Sequence, residues 1–277
     1  MKRYVGVALL CGLWAGAVSA EVYENQSYID RPESQKWFVY LDFNLDMYSD
    51  LYVASLDLGK DNTLLATAFD YDNAVDIVSR TNNFRIGVAN NFIDKEDEGT
   101  MAWYFGAGSS NTNIDDLFPG GSIGAKGWGL EGGIQGDLFK FGSLLDKGVE
   151  IDCSLDLTMA TGDSNGIVDG SYDIMAGTLN AAAYYKAKVS LQDTEDTFVY
   201  IGGKVAYTSV QLSIDLDTPD GDSGTGDYAL TNQGINQVFL VLGTKFCWEA
   251  NRSTADVRIT GSLDGSYTVG VRLLQTF

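Results

Sequence analysis

The amino-acid sequence predicts an all-β protein whose long antiparallel strands close into a barrel, and three observations carry this prediction. Apolar and polar residues alternate with period two, which is the pattern of strands with one apolar and one wet face. Several alternating stretches exceed ten residues, whereas strands of soluble sheets are about 5–6 residues long and membrane-spanning strands about 9–11. Only 3 prolines occur in 277 residues, so few strands are interrupted. We therefore predict a transmembrane antiparallel up-and-down β-barrel.

The clearest alternation runs from Val149 to Met159, where every second residue is apolar and the residues between are mostly acidic or hydroxylated. The same pattern occurs around Trp37, Phe84 and Tyr267. About twelve strands are predicted, and ten if the poorly alternating second and third are lost; both counts are even, as expected for a bacterial single-chain barrel. The predicted strands are 37–46, 50–58, 63–71, 83–92, 101–109, 121–138, 148–161, 170–190, 197–216, 228–247, 254–262 and 266–277.

The first twenty residues, MKRYVGVALLCGLWAGAVSA, predict a secretory signal peptide. Lys2 and Arg3 precede an apolar run that is shorter than the roughly 20 residues of a membrane-spanning helix. Small residues precede the cleavage site, which we expect after Ala20. The predicted segments are therefore a signal peptide over 1–20, a short periplasmic N-terminal segment over 21–36 and the barrel over 37–277.

The charge balance excludes nucleic acid as a partner, because 38 acidic residues oppose only 18 basic ones. With 45% hydrophobic and 12% aromatic residues, the chain is nevertheless too apolar to be a disordered acidic polymer. Only Cys153 and Cys247 remain after removal of the signal peptide, and we place them on different strands. No disulfide framework is therefore expected.

The last predicted strand continues to the final residue, with Tyr267, Val269, Val271, Leu273 and Phe277 at two-residue spacing. Together with the signal peptide and the alternating strands, this pattern resembles the Gram-negative outer-membrane β-barrel (porin-like) superfamily, without pointing to a specific family. The resemblance implies a bacterial outer-membrane location, contact with membrane lipid and lipopolysaccharide, and an assembly signal at Phe277 that the barrel-assembly machinery reads. Gln275 departs from the pattern, because an apolar residue is commoner there.

The polar face of the strands predicts the residues that line the lumen. Charges of both signs together with aromatic rings resemble the lumen of small specific channels. In the alternative interpretation, Arg258 and Arg272 pair with Asp42 across the seam between the first and last strands and fill the middle. The predicted lumen-lining residues are Asp42, Arg85, Tyr104, Glu131, Asp152, Asp156, Lys204, Arg258 and Arg272.

Two predicted outer loops are rich in acidic residues. Oxygen ligands at such spacing can hold calcium, but neither loop fits the calcium-loop pattern that ends on a distal Glu, so solvated hairpin tips are the competing interpretation. The residues concerned are Asp217, Asp220, Asp222 and Asp227 in one loop and Asp163, Asn165 and Asp169 in the other.

The sequence contains no histidine, which excludes the Ser–His and Asp–His mechanisms of outer-membrane hydrolases and proteases. We expect no catalysis, no cofactor and no resident metal. Twelve strands enclose a lumen wider than that of eight strands, which side chains fill, and narrower than that of 16–18 strands. Our first hypothesis is a passive porin-like channel for small neutral or cationic solutes. The second is a non-conducting structural or surface-interaction barrel whose acidic outer loops bind a partner or divalent cations.

Overall fold

The protein is built from eleven antiparallel β-strands in the part of the chain that the computed structural model describes. That part comprises residues 37–58, 77–95, 99–118, 121–140, 147–165, 169–189, 196–217, 223–232, 237–248 and 253–276. None of these ranges contains a helix long and apolar enough to cross a membrane. The strands are β1 (Trp37–Leu58), β2 (Ile77–Lys95), β3 (Gly99–Phe118), β4 (Gly121–Lys140), β5 (Lys147–Asn165), β6 (Asp169–Val189), β7 (Asp196–Asp217), β8 (Ser223–Thr231), β9 (Val238–Trp248), β10 (Ser253–Ser262) and β11 (Tyr267–Thr276).

Ten of these strands form one closed ring. Strands β1 to β7 follow one another in sequence order, β9, β10 and β11 continue the ring, and β11 pairs back with β1. The closing register places Phe38 opposite Thr276 and Met47 opposite Tyr267. Each strand of the ring has neighbours on both sides, so the wall exposes no free sheet edge. The predicted antiparallel barrel is confirmed, and the ring has the alternative count of ten.

Strands β2 and β3 are longer than the predicted strands 83–92 and 101–109, and two predicted divisions between strands also differ from the structure. Strand β1 continues past Tyr48, where the sequence predicts a turn between the strands 37–46 and 50–58. A register shift between Tyr48 and Leu51 accommodates the polar residues there within one strand. The predicted strand 228–247 is two strands, β8 and β9. The chain leaves the sheet at Asn232. Its side-chain Nδ2 donates to Ala206 O, and its side-chain Oδ1 accepts from Thr208 N, both at 2.8 Å. The predicted strand 63–71 lies outside the described residues.

Strand β8 narrows the barrel at one end. It pairs with residues 209–217 of β7 on one side and with residues 52–58 of β1 on the other. The remaining halves of the same strands, residues 196–205 and 38–47, pair with β9 and β11. At this end β8 therefore takes the place of three strands, and β1 to β8 close a smaller ring. We call this end the eight-stranded section and the remainder the ten-stranded section.

The two sections differ in the polarity of their inward and outward faces. In the ten-stranded section, Ile201 and Val205 of β7 point outward and are 52% and 53% exposed. Further along the same strand the outward residues become polar, with Gln211 and Asp215 exposed, while the inward Leu212 is fully buried. The ten-stranded section is thus apolar outside, and the eight-stranded section is apolar inside, like a water-soluble barrel.

The outward apolar band continues around the ten-stranded section. Aromatic residues stand near its edges, and Trp37 and Trp103 meet edge to face with ring centroids 5.7 Å apart. A contiguous exposed apolar surface of this size marks contact with another apolar phase, and apolar bands flanked by aromatic girdles are typical of membrane barrels. Other exposed members of the band include Phe43, Ile86, Phe105, Trp128, Leu155, Leu179, Tyr207, Leu240 and Trp248.

The band can be tested with a charge at Leu179, which points outward from β6 and is 58% exposed. Leu179→Arg should lower the free energy of unfolding in lipid vesicles by about 2–4 kcal/mol, because the guanidinium enters hydrocarbon. Gln211→Arg, on the outward face of the eight-stranded section, should change it by no more than about 0.5 kcal/mol. Urea titration followed by tryptophan fluorescence measures both, and equal effects would contradict the assignment of the band to lipid.

Candidate functional site

The interior of the ten-stranded section contains two similar arginine clusters. In the first, Arg272 of β11 donates to Asp42 of the neighbouring β1 through both Nε and Nη2. Its Nη2 also lies 3.6 Å from Glu131 Oε2 of β4. The guanidinium stands over the rings of Tyr104 and Tyr40, at 4.5 and 5.0 Å from their centroids. Two carboxylates and two aromatic faces together stabilise this one cation.

The second cluster is centred on Arg258 of β10. Its Nη1 lies 3.0 Å from Asp152 Oδ2, and its Nη2 lies 3.3 Å from Asp256 Oδ2. The guanidinium stands 5.6 and 5.9 Å from the ring centroids of Tyr184 and Tyr200. Because β10 and β5 are separated by three other strands on the shorter path around the ring, the contact with Asp152 crosses the lumen.

Tyrosine hydroxyls connect the clusters into one network. Tyr104, whose ring packs on Arg272, donates to Asp152 Oδ1 at 3.0 Å. Tyr200 donates to Asp256 Oδ1 at 2.6 Å. Asp152 therefore belongs to both clusters, and a displacement of either arginine alters the contacts of the other.

A third cluster surrounds the fully buried Glu150 of β5. Lys245 and Gln135 contact its Oε1, and Lys186 Nζ lies 3.6 Å from its Oε2. Tyr184 donates to Oε1 at 2.9 Å. A carboxylate removed from water needs such compensation, and here β4, β6 and β9 supply it.

A fourth interior cluster is centred on Arg85 of β2, which is fully buried. Its Nη1 donates to Ser109 O at 2.7 Å, and its Nη2 donates to Asn83 Oδ1 at 3.0 Å. The same Nη2 lies 3.4 Å from Asp156 Oδ2. Arg85 therefore connects β2 and β3 with β5.

Glycines on neighbouring strands allow the tyrosine rings to lie against the wall. A Cβ atom at Gly87 would collide with the ring of Tyr40, and one at Gly243 would collide with the ring of Tyr200. A side chain at either position would push the ring into the lumen. These two glycines therefore help to set the ring positions on which both arginines pack.

A cavity of about 110 Å³ lies among these clusters. Eight of the nine predicted lumen residues line it, and Arg85 lies behind the wall residue Asp156, with which it pairs. Charged and hydroxyl-bearing side chains make up most of the lining. The predicted residues that line it are Asp42, Tyr104, Glu131, Asp152, Asp156, Lys204, Arg258 and Arg272, and the others include Asp46, Asn180, Asp256, Thr260 and Thr268.

Apolar clusters fill the interior on both sides of the cavity. The larger one fills the eight-stranded section, and Ile114, Leu212 and Leu230 within it are fully buried. At the opposite end, apolar and aromatic residues pack between the starts and ends of the strands: Phe38, Ala89, Phe198, Cys247 and Leu274. The polar midsection is therefore bounded by apolar packing toward either mouth.

The structure shows which carboxylates the two arginines contact. Arg272 pairs with Asp42 across the seam between the first and last strands. The expected pairing of Arg258 with Asp42 is wrong, because Arg258 lies one strand further from the seam and extends to Asp152 and Asp256 instead. Cys153 points outward and Cys247 inward, and neither forms a disulfide within the described residues.

Sequence analysis missed Glu150, Lys245 and Asp256. Two of them lie on the inward face of a strand beside a residue that was predicted to line the lumen. Glu150 precedes Asp152 by two positions, and Asp256 precedes Arg258 by two. That alternation was the available signal. Phe277, Asp220 and Asp222 lie outside the described residues, as do the side chains of Asp163, Asn165, Asp169 and Asp217, whereas Asp227 accepts a hydrogen bond from Ser213 on the outward face.

The class that this geometry defines is an antiparallel β-barrel whose strands form a closed ring around a charged midsection. No family model matches the chain, and no curated protein matches it. Among solved structures, the transport unit of the autotransporter AIDA-I from Escherichia coli is similar with a TM-score of 0.44 and 10% identity, over 91% of this chain and 93% of that one. The Ralstonia pickettii toluene transporter TbuX follows with a TM-score of 0.35 and 10% identity, over 88% and 90%.

A low-pH structure of Pseudomonas putida OprB gives a TM-score of 0.21 and 8% identity, over 92% of this chain and 100% of that one. These likenesses indicate no specific family. At such TM-scores nothing about function follows from them. The barrel assignment rests on the pairing of the strands.

The buried pair of Arg272 and Asp42 should contribute strongly to stability. Asp42→Asn leaves the guanidinium with one distant carboxylate, so the free energy of unfolding should fall by about 3–5 kcal/mol. Replacing both partners, in Asp42→Asn with Arg272→Met, should restore only part of that loss, because the poorly paired guanidinium is gone but the buried Glu131 then loses its cation.

Asp115→Asn is the matched control for Asp42→Asn. It removes the partner of Arg80 in an ion pair whose arginine side chain is 51% exposed, so the cost should be about 0–1 kcal/mol. Unfolding of the four proteins by urea in the same lipid supplies the comparison. A double variant as unstable as Asp42→Asn alone would show that the lost charge pairing is not the cause.

Proposed function

We propose that this protein is a bacterial outer-membrane β-barrel that is closed to solutes, acting as a structural or surface-interaction barrel. The observation that carries the proposal is the filled interior of the eight-stranded section. An eight-stranded barrel is just wide enough for side chains to fill. Among the described residues the filling is mainly apolar, and Leu212, Leu230 and Ile114 within it are fully buried.

The ion pairs of the midsection support the same conclusion. A solute moving along the barrel axis has to separate Arg258 from Asp152 or Arg272 from Glu131, since both contacts cross the lumen. Separating a buried pair without replacing its contacts costs about 3–5 kcal/mol. The barrel therefore has two successive barriers of different kinds, one electrostatic and one apolar.

The outward faces support the proposed location and partners. The apolar band of the ten-stranded section fits membrane lipid, which in the outer membrane includes lipopolysaccharide. The eight-stranded section presents polar residues such as Arg80, Lys126, Asp173 and Asp227 to water and is the surface on which a partner would bind. Delivery by the barrel-assembly machinery follows from the same assignment, and no catalytic role is proposed.

The second candidate is a passive porin-like channel for small neutral or cationic solutes. The charged cavity of about 110 Å³ in the midsection favours it, because polar space already exists between the ion pairs. Conduction requires the apolar cluster of the eight-stranded section to open. The two candidates therefore differ in whether that cluster separates under working conditions.

Planar-bilayer recording distinguishes the candidates. The unmodified barrel should give no stable single-channel steps, with insertion verified separately by protease protection and by heat-modifiable electrophoretic mobility. Phe239→Ala combined with Tyr228→Ala removes two inward rings from the apolar cluster and should produce steps or a steady leak. Leu240→Ala, on the outward face beside Phe239, is the control and should remain silent. Cation-selective steps from the unmodified barrel would reject closure and support the channel.

A further inference from the structure

We propose that the cavity in the midsection binds one small monovalent cation, of potassium or ammonium size, beside Asp46. Asp46 of β1 lies opposite Thr268 of β11, and Thr268 lies opposite Thr260 of β10. The three residues share the inward face and form a row of oxygen atoms along one side of the cavity. Asn180 lines the same cavity from β6.

Unused acceptors in this row indicate that something is bound there. Thr260 is 1% exposed, and its Oγ1 has no hydrogen-bond partner among the described residues. Asn180 Oδ1 is also buried without a donor. Buried polar atoms are almost always satisfied by protein, water or a ligand, and a carboxylate, an amide oxygen and hydroxyls together suit a cation.

The charges around the cavity point in the same direction. Asp46 accepts a hydrogen bond from Asn83 at 3.2 Å, and Lys204, the cation that faces it from β7, forms no ion pair with it in the described part of the chain. The wall carries more carboxylates than cations, even when Arg85 on Asp156 is included. The carboxylates are those of Asp42, Asp46, Glu131, Asp152, Asp156 and Asp256, and the cations are Arg85, Lys204, Arg258 and Arg272.

The neighbouring Glu150 cluster adds one carboxylate and the two cations Lys186 and Lys245, which contact that carboxylate and not Asp46. Every other carboxylate of the cavity wall forms an ion pair with an arginine, whereas Asp46 forms none among the described residues. An uncompensated charge in a low-dielectric interior is strongly unfavourable.

The donor set favours a monovalent cation over a chelated divalent ion. No three Asp, Glu, Cys or His side chains converge as metal ligands in the described ranges. One carboxylate with neutral oxygens is a weak, mostly neutral set, whereas a calcium ion takes six to eight oxygens, usually with several carboxylates. The cavity of about 110 Å³ exceeds the roughly 30 Å³ share of one water molecule. A small cation with one or two waters therefore fits.

Thermal unfolding of the detergent-solubilised barrel tests this site. At constant ionic strength, replacing choline chloride by ammonium or potassium chloride should raise the Tm with a saturable dependence on the small cation, because the methyl groups of choline keep its charged nitrogen away from oxygen ligands. Asp46→Asn removes the charge and Thr260→Val removes the unused hydroxyl. Each should abolish the cation-dependent rise or weaken the apparent affinity at least tenfold.

The matched controls are Asp215→Asn on the outward face and Thr254→Val, an inward threonine of β10 that does not line the cavity. Both should retain the rise seen in the unmodified barrel. Equal Tm values in choline and ammonium would overturn the proposal and assign the extra charge to a proton. An unaltered rise in both Asp46→Asn and Thr260→Val would overturn it as well. The result does not depend on whether the barrel conducts, so it stands apart from the bilayer recording.

Discussion

The rest of the structure depends on the pairing of β11 with β1. Once the last strand closes on the first, every strand of the ring is paired on both sides, and the alternation along each strand becomes a distinction between inside and outside. In an apolar medium an unpaired backbone edge would be very costly. Closure therefore makes the outward apolar band compatible with lipid and encloses the charged residues. The same closure brings Asp42 beside Arg272, so that backbone pairing and charge pairing coincide at the seam.

Along the same strand, the outward residues of the alternating pattern change from apolar to polar. On β7 the outward series changes from Ile201 and Val205 to Gln211 and Asp215, and the inward series changes in the opposite sense. The change occurs where β8 replaces β9 as the partner of β7 and β11 as the partner of β1. A narrower ring has less interior to fill, and apolar side chains fill it without needing hydrogen bonds. The ring therefore becomes narrower at the same level at which the polarity of its outward face changes. The outward face of the ten-stranded section is suited to lipid, and that of the eight-stranded section is suited to water.

The interior charges show why a polar lumen need not be an open one. Arg258 and Arg272 are each held by two carboxylates and two tyrosine rings, and the contacts from Arg258 to Asp152 and from Arg272 to Glu131 cross the lumen. Charges inside a barrel have to be compensated whether or not solutes pass. Their compensation here connects opposite walls, which favours a closed barrel. Asp46, the wall carboxylate without an ion pair among the described residues, is where we propose that a small cation binds.

The sequence by itself determined the class of fold and the phase of nearly every strand, because alternation is local and survives any choice of neighbours. It placed Asp42, Glu131, Asp152 and Arg272 on the inward face. It could not place Glu150 opposite Lys245 or direct Arg258 to Asp152 rather than to Asp42, because partners across a lumen depend on strand number and register, which no local spacing encodes. The bulge in β1 and the separation of β8 from β9 could not be predicted for the same reason. Only the tertiary structure decided them, since each depends on which strands lie beside β1 and β7 at a given level of the barrel.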